Sequence, residues 1–415
     1  MDSPSAGAPI ARPLIPALPV GPRDPRPGLS GVAPPEIAAW LADRGQPAYR
    51  ARQLADHLWT ASAVTADELR TLPQPLRAEL EADFRLDTIV ATDLRPTDDG
   101  LTEKALHRLD DGRLVESVLM RYPARGMRRQ RATVCISSQA GCAVGCPFCA
   151  TGELGFMRDL DVAEIVDQVR FWRRRLAGEG RRVTNVVFMG MGEPLLNTDA
   201  VLEAAATLSD ARRFGLGARH ITISTSGVVP GIERLTDLRP QYTLAVSLHA
   251  ARPALRDVLV PLNRRYPVAQ VVAAATRFGT VTGRRVTYEY VMIDGINDTA
   301  TDAAELARLL GRRLAHVNLI PMNPVAHTPW QASPIEKIDA FAATLRQAGI
   351  ETTVRRNRGI EIGAACGQLA ADRAGAPPPA AVARRQQLLV LDSAAALAGG
   401  GPSSERPVAV ALPRS

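Results

Sequence analysis

From Ala132 onward, apolar β-branched runs alternate with helix-like stretches, and this alternation limits the fold more than any other feature of the chain. The runs fall at 133–137, 185–189, 220–224, 242–248, 285–293, 317–321 and 352–355. The stretches between them, such as 162–176 and 303–310, are close to the length that a crossover between parallel strands requires. Six or so units are too few to close an eight-stranded barrel. The expected fold is therefore α/β, an open partial (β/α)6 barrel over 132–370 with its chemistry at the C-terminal ends of the strands. No shorter repeat is evident.

Upstream the texture differs. Ile37, Trp40 and Leu41, then Leu54, Leu58 and Trp59, then Leu69, Leu72, Leu76 and Leu80 recur at spacings of three, four and their multiples. That period predicts a helical accessory domain over 34–91, a candidate for RNA binding. Short alternating runs then turn at Asp98-Asp99-Gly100 and Asp110-Asp111-Gly112, which predicts a small antiparallel β extension over 92–131. Its third run carries Glu116 between Val115 and Ser117, expected to point into a cleft. Residues 1–33 and 371–415 are rich in Pro, Gly and Ala without hydrophobic period and are expected to be disordered tails.

No apolar run approaches the roughly 20 residues of a membrane span, and Pro9, Pro13, Pro16 and Pro19 interrupt any signal-peptide core. A cytoplasmic enzyme with no membrane partner is expected. The formal charge of +7 suits a polyanion such as RNA, although Arg-rich proteins at large share it. Five cysteines are present, Cys135, Cys142, Cys146, Cys149 and Cys366, and three of them fall within eight residues. An odd number so unevenly spread argues for metal binding or thiol chemistry in a reducing compartment, not for a disulfide framework.

Cys142-Ala143-Val144-Gly145-Cys146-Pro147-Phe148-Cys149 follows directly on the first strand of the repeat. Three thiolates can hold three irons of a cubane cluster and leave the fourth open to another ligand. A structural zinc wants four ligands, and a histidine from elsewhere would complete such a set, so spacing alone leaves both metals open. His57, His107, His220, His316 and His327 lack metal-like spacing and are read as structural.

This arrangement, with Phe148 before the last cysteine and at the end of the first strand of a partial barrel, resembles the radical SAM superfamily. The resemblance implies a [4Fe-4S] cluster on Cys142, Cys146 and Cys149, with S-adenosylmethionine chelated by the open iron and cleaved to a 5′-deoxyadenosyl radical. Gly190-Met191-Gly192-Glu193-Pro194 resembles the motif that meets the methionine amino group, so Gly192 and Glu193 are implied cofactor contacts. Ser224, the trio Ser247, Leu248 and His249, and Asn323 lie at later strand ends and resemble the remaining contacts.

A narrower resemblance is to the RlmN family, the methyltransferases acting on adenine C2 of 23S ribosomal RNA and, in many bacteria, transfer RNA. It rests on Val115-Glu116-Ser117-Val118, on 133–142, on Gly155-Phe156 and on Ala364-Ala365-Cys366-Gly367-Gln368-Leu369, and it spans roughly 35–370. Adenine C2 lies between two ring nitrogens and is too electron-poor to attack a sulfonium methyl. A thiolate is a good nucleophile, so Cys366 is expected to take the methyl group first, be activated by the radical, and tether protein to RNA. The resemblance implies Glu116 as proton acceptor and Cys135 as resolving thiol, with a transient Cys135–Cys366 disulfide reduced after each turnover. It also implies a monomer served by an electron donor such as flavodoxin or ferredoxin.

Three basic clusters are candidate RNA contacts: Arg121, Arg125, Arg128, Arg129 and Arg131; Tyr49, Arg50 and Arg52; and Arg355, Arg356 and Arg358. Three rival readings remain at this stage. They are a related resistance methyltransferase acting on adenine C8, a zinc-stabilised RNA-binding module, and a radical SAM enzyme acting on protein or a small molecule.

Overall fold

The computed structural model describes residues 20–369 apart from 125, 128, 326, 327 and 356. Arg125, Arg128, Arg356 and His327, together with 1–19 and 370–415, therefore lie outside the described residues.

Three helices, α1 (Pro34–Ala42), α2 (Tyr49–Ala55) and α3 (Gln74–Asp83), come first. Proline within the first turn opens α1 and α3, where its missing N–H costs nothing. Leu41, Leu54, Leu58, Leu76 and Leu80 are buried between them. The chain then enters a meander, β1 (Ile89–Pro96), β2 (Thr102–Leu109) and β3 (Leu114–Tyr122), whose first strand begins inside the range that periodicity assigned to helix.

The barrel region runs β4 (Arg131–Cys135), β5 (Gln139–Gly141), α4 (Ala150–Leu154), β6 (Phe156–Asp159), α5 (Val162–Ala177), β7 (Asn185–Phe188), α6 (Thr198–Ser209), β8 (Ile221–Thr225), α7 (Val229–Leu238) and β9 (Thr243–Ser247). It continues through α8 (Pro253–Leu259), α9 (Val268–Thr282), β10 (Val286–Met292), α10 (Ala300–Leu310), β11 (Ala315–Pro321), α11 (Ile335–Gln347) and β12 (Glu351–Val354). β4 and β7 to β12 are parallel, so all seven predicted runs become strands of one open sheet.

The β extension is not a separate body. β3 pairs antiparallel with β4, so the sheet has ten strands in the order β1-β2-β3-β4-β7-β8-β9-β10-β11-β12. The reason is visible in β3, where every residue from Val115 to Met120 is buried; such a strand must be paired on both edges and covered on both faces. α5 supplies one cover. A capping box between Asp161 and Glu164 starts this helix, and Trp172, fully buried, donates from its indole to Ser117 Oγ at 2.7 Å. His107 meets the same hydroxyl at 2.7 Å, and burial pushes its imidazole down to about 3, so it packs there uncharged. Burying a large side chain such as Trp172 contributes on the order of 1.5–3 kcal/mol.

One expectation fails at the N-terminus. Residues 20–33 were expected to be disordered, yet they form a strap. Leu29 is buried and its N–H donates to Arg85 O at 2.8 Å, Arg213 donates to Ser30 O at 3.0 Å, and Arg23 pairs with Asp161. The partners are far away in sequence, so local composition carries no sign of them.

Candidate active site

β4 ends at Cys135, and three residues later the chain forms β5, which pairs with β6 as a two-stranded ribbon. The cysteine loop 142–149 lies between them and is closed at its base by Cys142 N–H donating to Gly155 O at 2.9 Å. Gly141 makes this closure possible. Its φ is +75°, and a Cβ there would lie 1.9 Å from Gly155 O. Gly141→Ala is therefore expected to destabilise the chain by about 1–3 kcal/mol and to lower iron uptake together with the melting temperature; a thermal melt paired with iron and sulfide analysis checks both.

Cys142, Cys146 and Cys149 line one open pocket. Burial pushes the Cys142 thiol up to about 12, and those of Cys146 and Cys149 also rise, so their ionisation awaits a metal. The three thiols line one pocket, and three thiolates with no fourth protein ligand suit a cubane cluster with one iron left open.

The opposite wall comes from successive strand ends. Gly192, with φ +99° and packed against Gln139, brings the backbone after β7 to the pocket edge. Glu193 lines the pocket too, but its carboxylate accepts from Leu195 N, Ser226 N and Ser226 Oγ at 3.0, 2.7 and 2.7 Å. Burial pushes this carboxyl up against those donors, and the side chain works as a staple between the ends of β7 and β8. Ser224 and Ser247 present hydroxyl-bearing side chains to the same space.

His249 adopts φ +60°, held by its Nδ1 accepting from Val291 N at 3.1 Å and by Asn297 donating to its carbonyl at 2.9 Å. Its ring meets Phe148 edge-on at 4.9 Å and stays neutral, driven down to about 3 by burial and then by nearby Arg256. Such a strained non-glycine residue is typical of functional sites. Leu248 is placed differently from its neighbours. Side chains alternate along the strand end, so with Ser247 and His249 toward the pocket Leu248 is turned into the core, and it is absent from the pocket lining.

Asn323 donates to Cys366 O at 2.8 Å, while its buried Oδ1 has no partner among the described residues and lines the pocket. An orphaned acceptor beside three free thiols fits a bound polar cofactor. Cys366 lines the pocket as well. Its segment is seated by Ala150 N–H donating to Gly367 O at 2.7 Å and by Thr151 donating to Leu369 O at 2.7 Å, both from α4 next to the cysteine loop.

Cys135 and Glu116 sit behind this wall. Cys135 is pushed up to about 12 by burial first and by neighbouring Cys366 second. Glu116 does not open into the pocket, contrary to the simple expectation of a cleft. It is 1% exposed and ion-paired with Lys104 at 2.8 Å, because β3 is covered on both faces. All five cysteines are free.

Two basic candidates move from surface to interior. Arg121 is buried, paired with Glu103 at 3.0 Å and with Glu179, and is not available to phosphates. Arg355 lines the pocket, where Cys366 and then Glu289 hold its charge in place. Sequence reasoning missed Arg256 altogether. Fully buried beneath the pocket, it donates to Leu248 O at 2.9 Å, Ser226 O at 2.6 Å and Ser247 O at 3.3 Å, tying the ends of β8 and β9 together. Apart from Asn263, its partners are backbone carbonyls, which leave no motif. Glu289, on the pocket wall with Asn318 donating to it at 2.7 Å, was missed because that partner lies on the neighbouring strand, far off in sequence.

An open parallel sheet with three thiols gathered at its C-terminal edge defines a radical SAM enzyme, and residues 136–309 match the radical SAM superfamily. The chain is 52% identical to a dual-specificity RNA methyltransferase RlmN of Frankia alni over 80% of each chain. It is 47% identical to that of Gemmatimonas aurantiaca, over 82% of this chain and 91% of the other. The crystal structure of a radical SAM methyltransferase from Sphaerobacter thermophilus superposes with a TM-score of 0.80 at 48% identity, covering 83% of this chain and 99% of that one. The chain belongs to the RlmN family.

Proposed function

We propose that this chain methylates C2 of an adenine in 23S ribosomal RNA and transfer RNA, consuming two S-adenosylmethionine molecules per methyl group with S-methylated Cys366 as carrier. The observation that carries this reading is the shared site. Cys366 lines the same pocket as Cys142, Cys146 and Cys149, with Cys135 beside it and Glu116 on the adjoining strand. The dual-specificity RNA methyltransferase name borne by the relatives supports two classes of RNA substrate.

Cys142, Cys146 and Cys149 would hold a [4Fe-4S] cluster that, with S-adenosylmethionine bound, would supply a 5′-deoxyadenosyl radical, and S-adenosylmethionine would also supply the methyl group. Gly192, Ser224, Ser247, His249 and Asn323 shape the cofactor's side of the pocket. Glu193 and Arg256 act one layer back, keeping the strand ends at fixed separation. Cys366 loses its thiol proton and takes the methyl group; that S-methyl group then gives one hydrogen atom to the 5′-deoxyadenosyl radical, and the resulting S–CH2 carbon bonds to adenine C2, tethering protein to RNA. Glu116 accepts the C2 proton, and the adduct's unpaired electron, returned to the oxidised cluster, leaves a closed-shell thioether tether. Cys135, as thiolate, then attacks the Cys366 sulfur: an S–S bond forms, the S–C bond breaks, and its electron pair leaves with carbon, which is protonated to methyl. The two sulfurs end oxidised, so a reductant of the flavodoxin or ferredoxin kind serves turnover.

The adenine must leave its stack to reach this pocket. At the N-terminal end of β4, the guanidinium groups of Arg131 and Arg358 lie 4.2 and 4.8 Å from the centre of the Tyr122 ring, an aromatic and cationic patch suited to phosphates and splayed bases. The reading includes a cytoplasmic monomer; among the described residues no helix is long and apolar enough to cross a membrane.

The test is nucleoside mass spectrometry of RNA incubated with anaerobically reconstituted protein, S-adenosylmethionine and a reductant. 2-Methyladenosine is the expected product. 8-Methyladenosine overturns the site of methylation, and neither product with an intact cluster overturns RNA methylation itself.

A further inference from the structure

Lys104 is a buried cation that the mechanism above leaves unused. It is 3% exposed, and its ammonium meets Glu116 Oε1 at 2.8 Å and donates to Gly363 O at 3.3 Å. The sheet register explains the placement. Lys104 pairs with Val118, Val118 with Cys135, and Leu106 with Glu116, so Lys104, Glu116 and Cys135 share one face across three adjacent strands. Gly363 lies three residues before Cys366, in a turn closed by Ala364 N–H donating to Gly359 O at 2.8 Å. One side chain thus touches both the carboxylate read as the base and the segment bearing the methyl carrier.

We propose that Lys104 is a positioning residue for the deprotonation step: its ammonium holds Glu116 as a charged, oriented carboxylate and sets its separation from the Cys366 segment through Gly363. The inference rests on the reading of Glu116 as proton acceptor. The step moves one proton from the RNA carbon to a Glu116 oxygen, the C–H electron pair staying with the adduct. A carboxylate removed from water keeps its charge only with compensation. Lys104 supplies that charge, and Ser137 Oγ, donating to Glu116 O at 2.6 Å, fixes the backbone behind it.

The test compares Lys104→Met and Lys104→Arg in the reconstituted full chain, following Cys366 methylation by peptide mass spectrometry, RNA–protein adduct on denaturing gels, and turnover. With Lys104→Met, Cys366 is still methylated, adduct accumulates, and turnover falls by about 100-fold, the low end of what a general base contributes. Lys104→Arg keeps the charge and most of the turnover. No loss with Lys104→Met, loss of Cys366 methylation together with turnover, or no rescue by Lys104→Arg overturns the proposal. Should the single variant fold poorly, Lys104→Met/Glu116→Gln removes both charges. The double variant is expected to lose no more than Glu116→Gln alone, and additive losses overturn the coupling. Absence of methyladenosine from the unaltered enzyme indicts the reading of function instead, so the two failures are distinguishable.

Discussion

Cys366→Ala is expected to form no methyladenosine while retaining its iron and sulfide. Removal of a covalent nucleophile costs on the order of 10⁶-fold in comparable systems, and here no neighbouring group can carry the methyl group instead. Cys135 stands closest in chemistry, but it is pushed up to about 12 and lies outside the pocket lining. The cluster loop should survive the change. It is closed by Cys142 and Gly155, and the Cys366 segment is seated through the backbone carbonyls of residues 366, 367 and 369, which alanine preserves. Nucleoside mass spectrometry and the cluster's visible absorbance, read on one sample, separate lost chemistry from lost metal. Methyladenosine from the variant would show that Cys366 is not the carrier.

Cys135→Ala is expected to do the opposite of an early block and to trap protein on RNA through Cys366. With no thiol to attack the tether, the adduct should persist through denaturation and appear as a band that ribonuclease shortens. The same chemistry sets a pH dependence in the unaltered enzyme. Burial and then Cys366 push the Cys135 thiol up to about 12, so only a small share is thiolate near neutrality. The attacking species grows as pH rises, and adduct decay should accelerate by roughly tenfold per unit between about pH 7 and about pH 10, with no such rise in Cys135→Ala. A decay rate flat across that span would remove Cys135 from the resolving role.

Much of this was legible in the chain. The seven strand runs are local signals, since β-branched residues between helical periods mark strands without outside help, and the run at 352–355 lies almost on β12. The cysteine loop was legible because its three cysteines share eight residues. What stayed hidden depends on distant partners. Arg256 bonds only to carbonyls and Asn263, the strap at 20–33 is held by Arg85, Arg213 and Asp161, and Arg121 looked like a surface cation until Glu103 and Glu179 claimed it. Lys104 and Glu116 sit twelve residues apart on a hairpin, and only the register of three strands reveals that they face Cys135.

That the meander and the parallel strands form one ladder bears on modularity. A chimera joined between residues 122 and 131, a natural place to exchange a substrate-selecting front end, would ask a foreign β3 to match β4 residue for residue from Val118–Cys135 to Tyr122–Arg131. It would also place Glu116 and Cys135, proposed as proton acceptor and resolving thiol, under different ancestry. Transplantable units should therefore begin ahead of β1 and carry the whole sheet, while variation in RNA preference is free to accumulate in the exposed turn between β3 and β4, where Met127 is fully open to solvent.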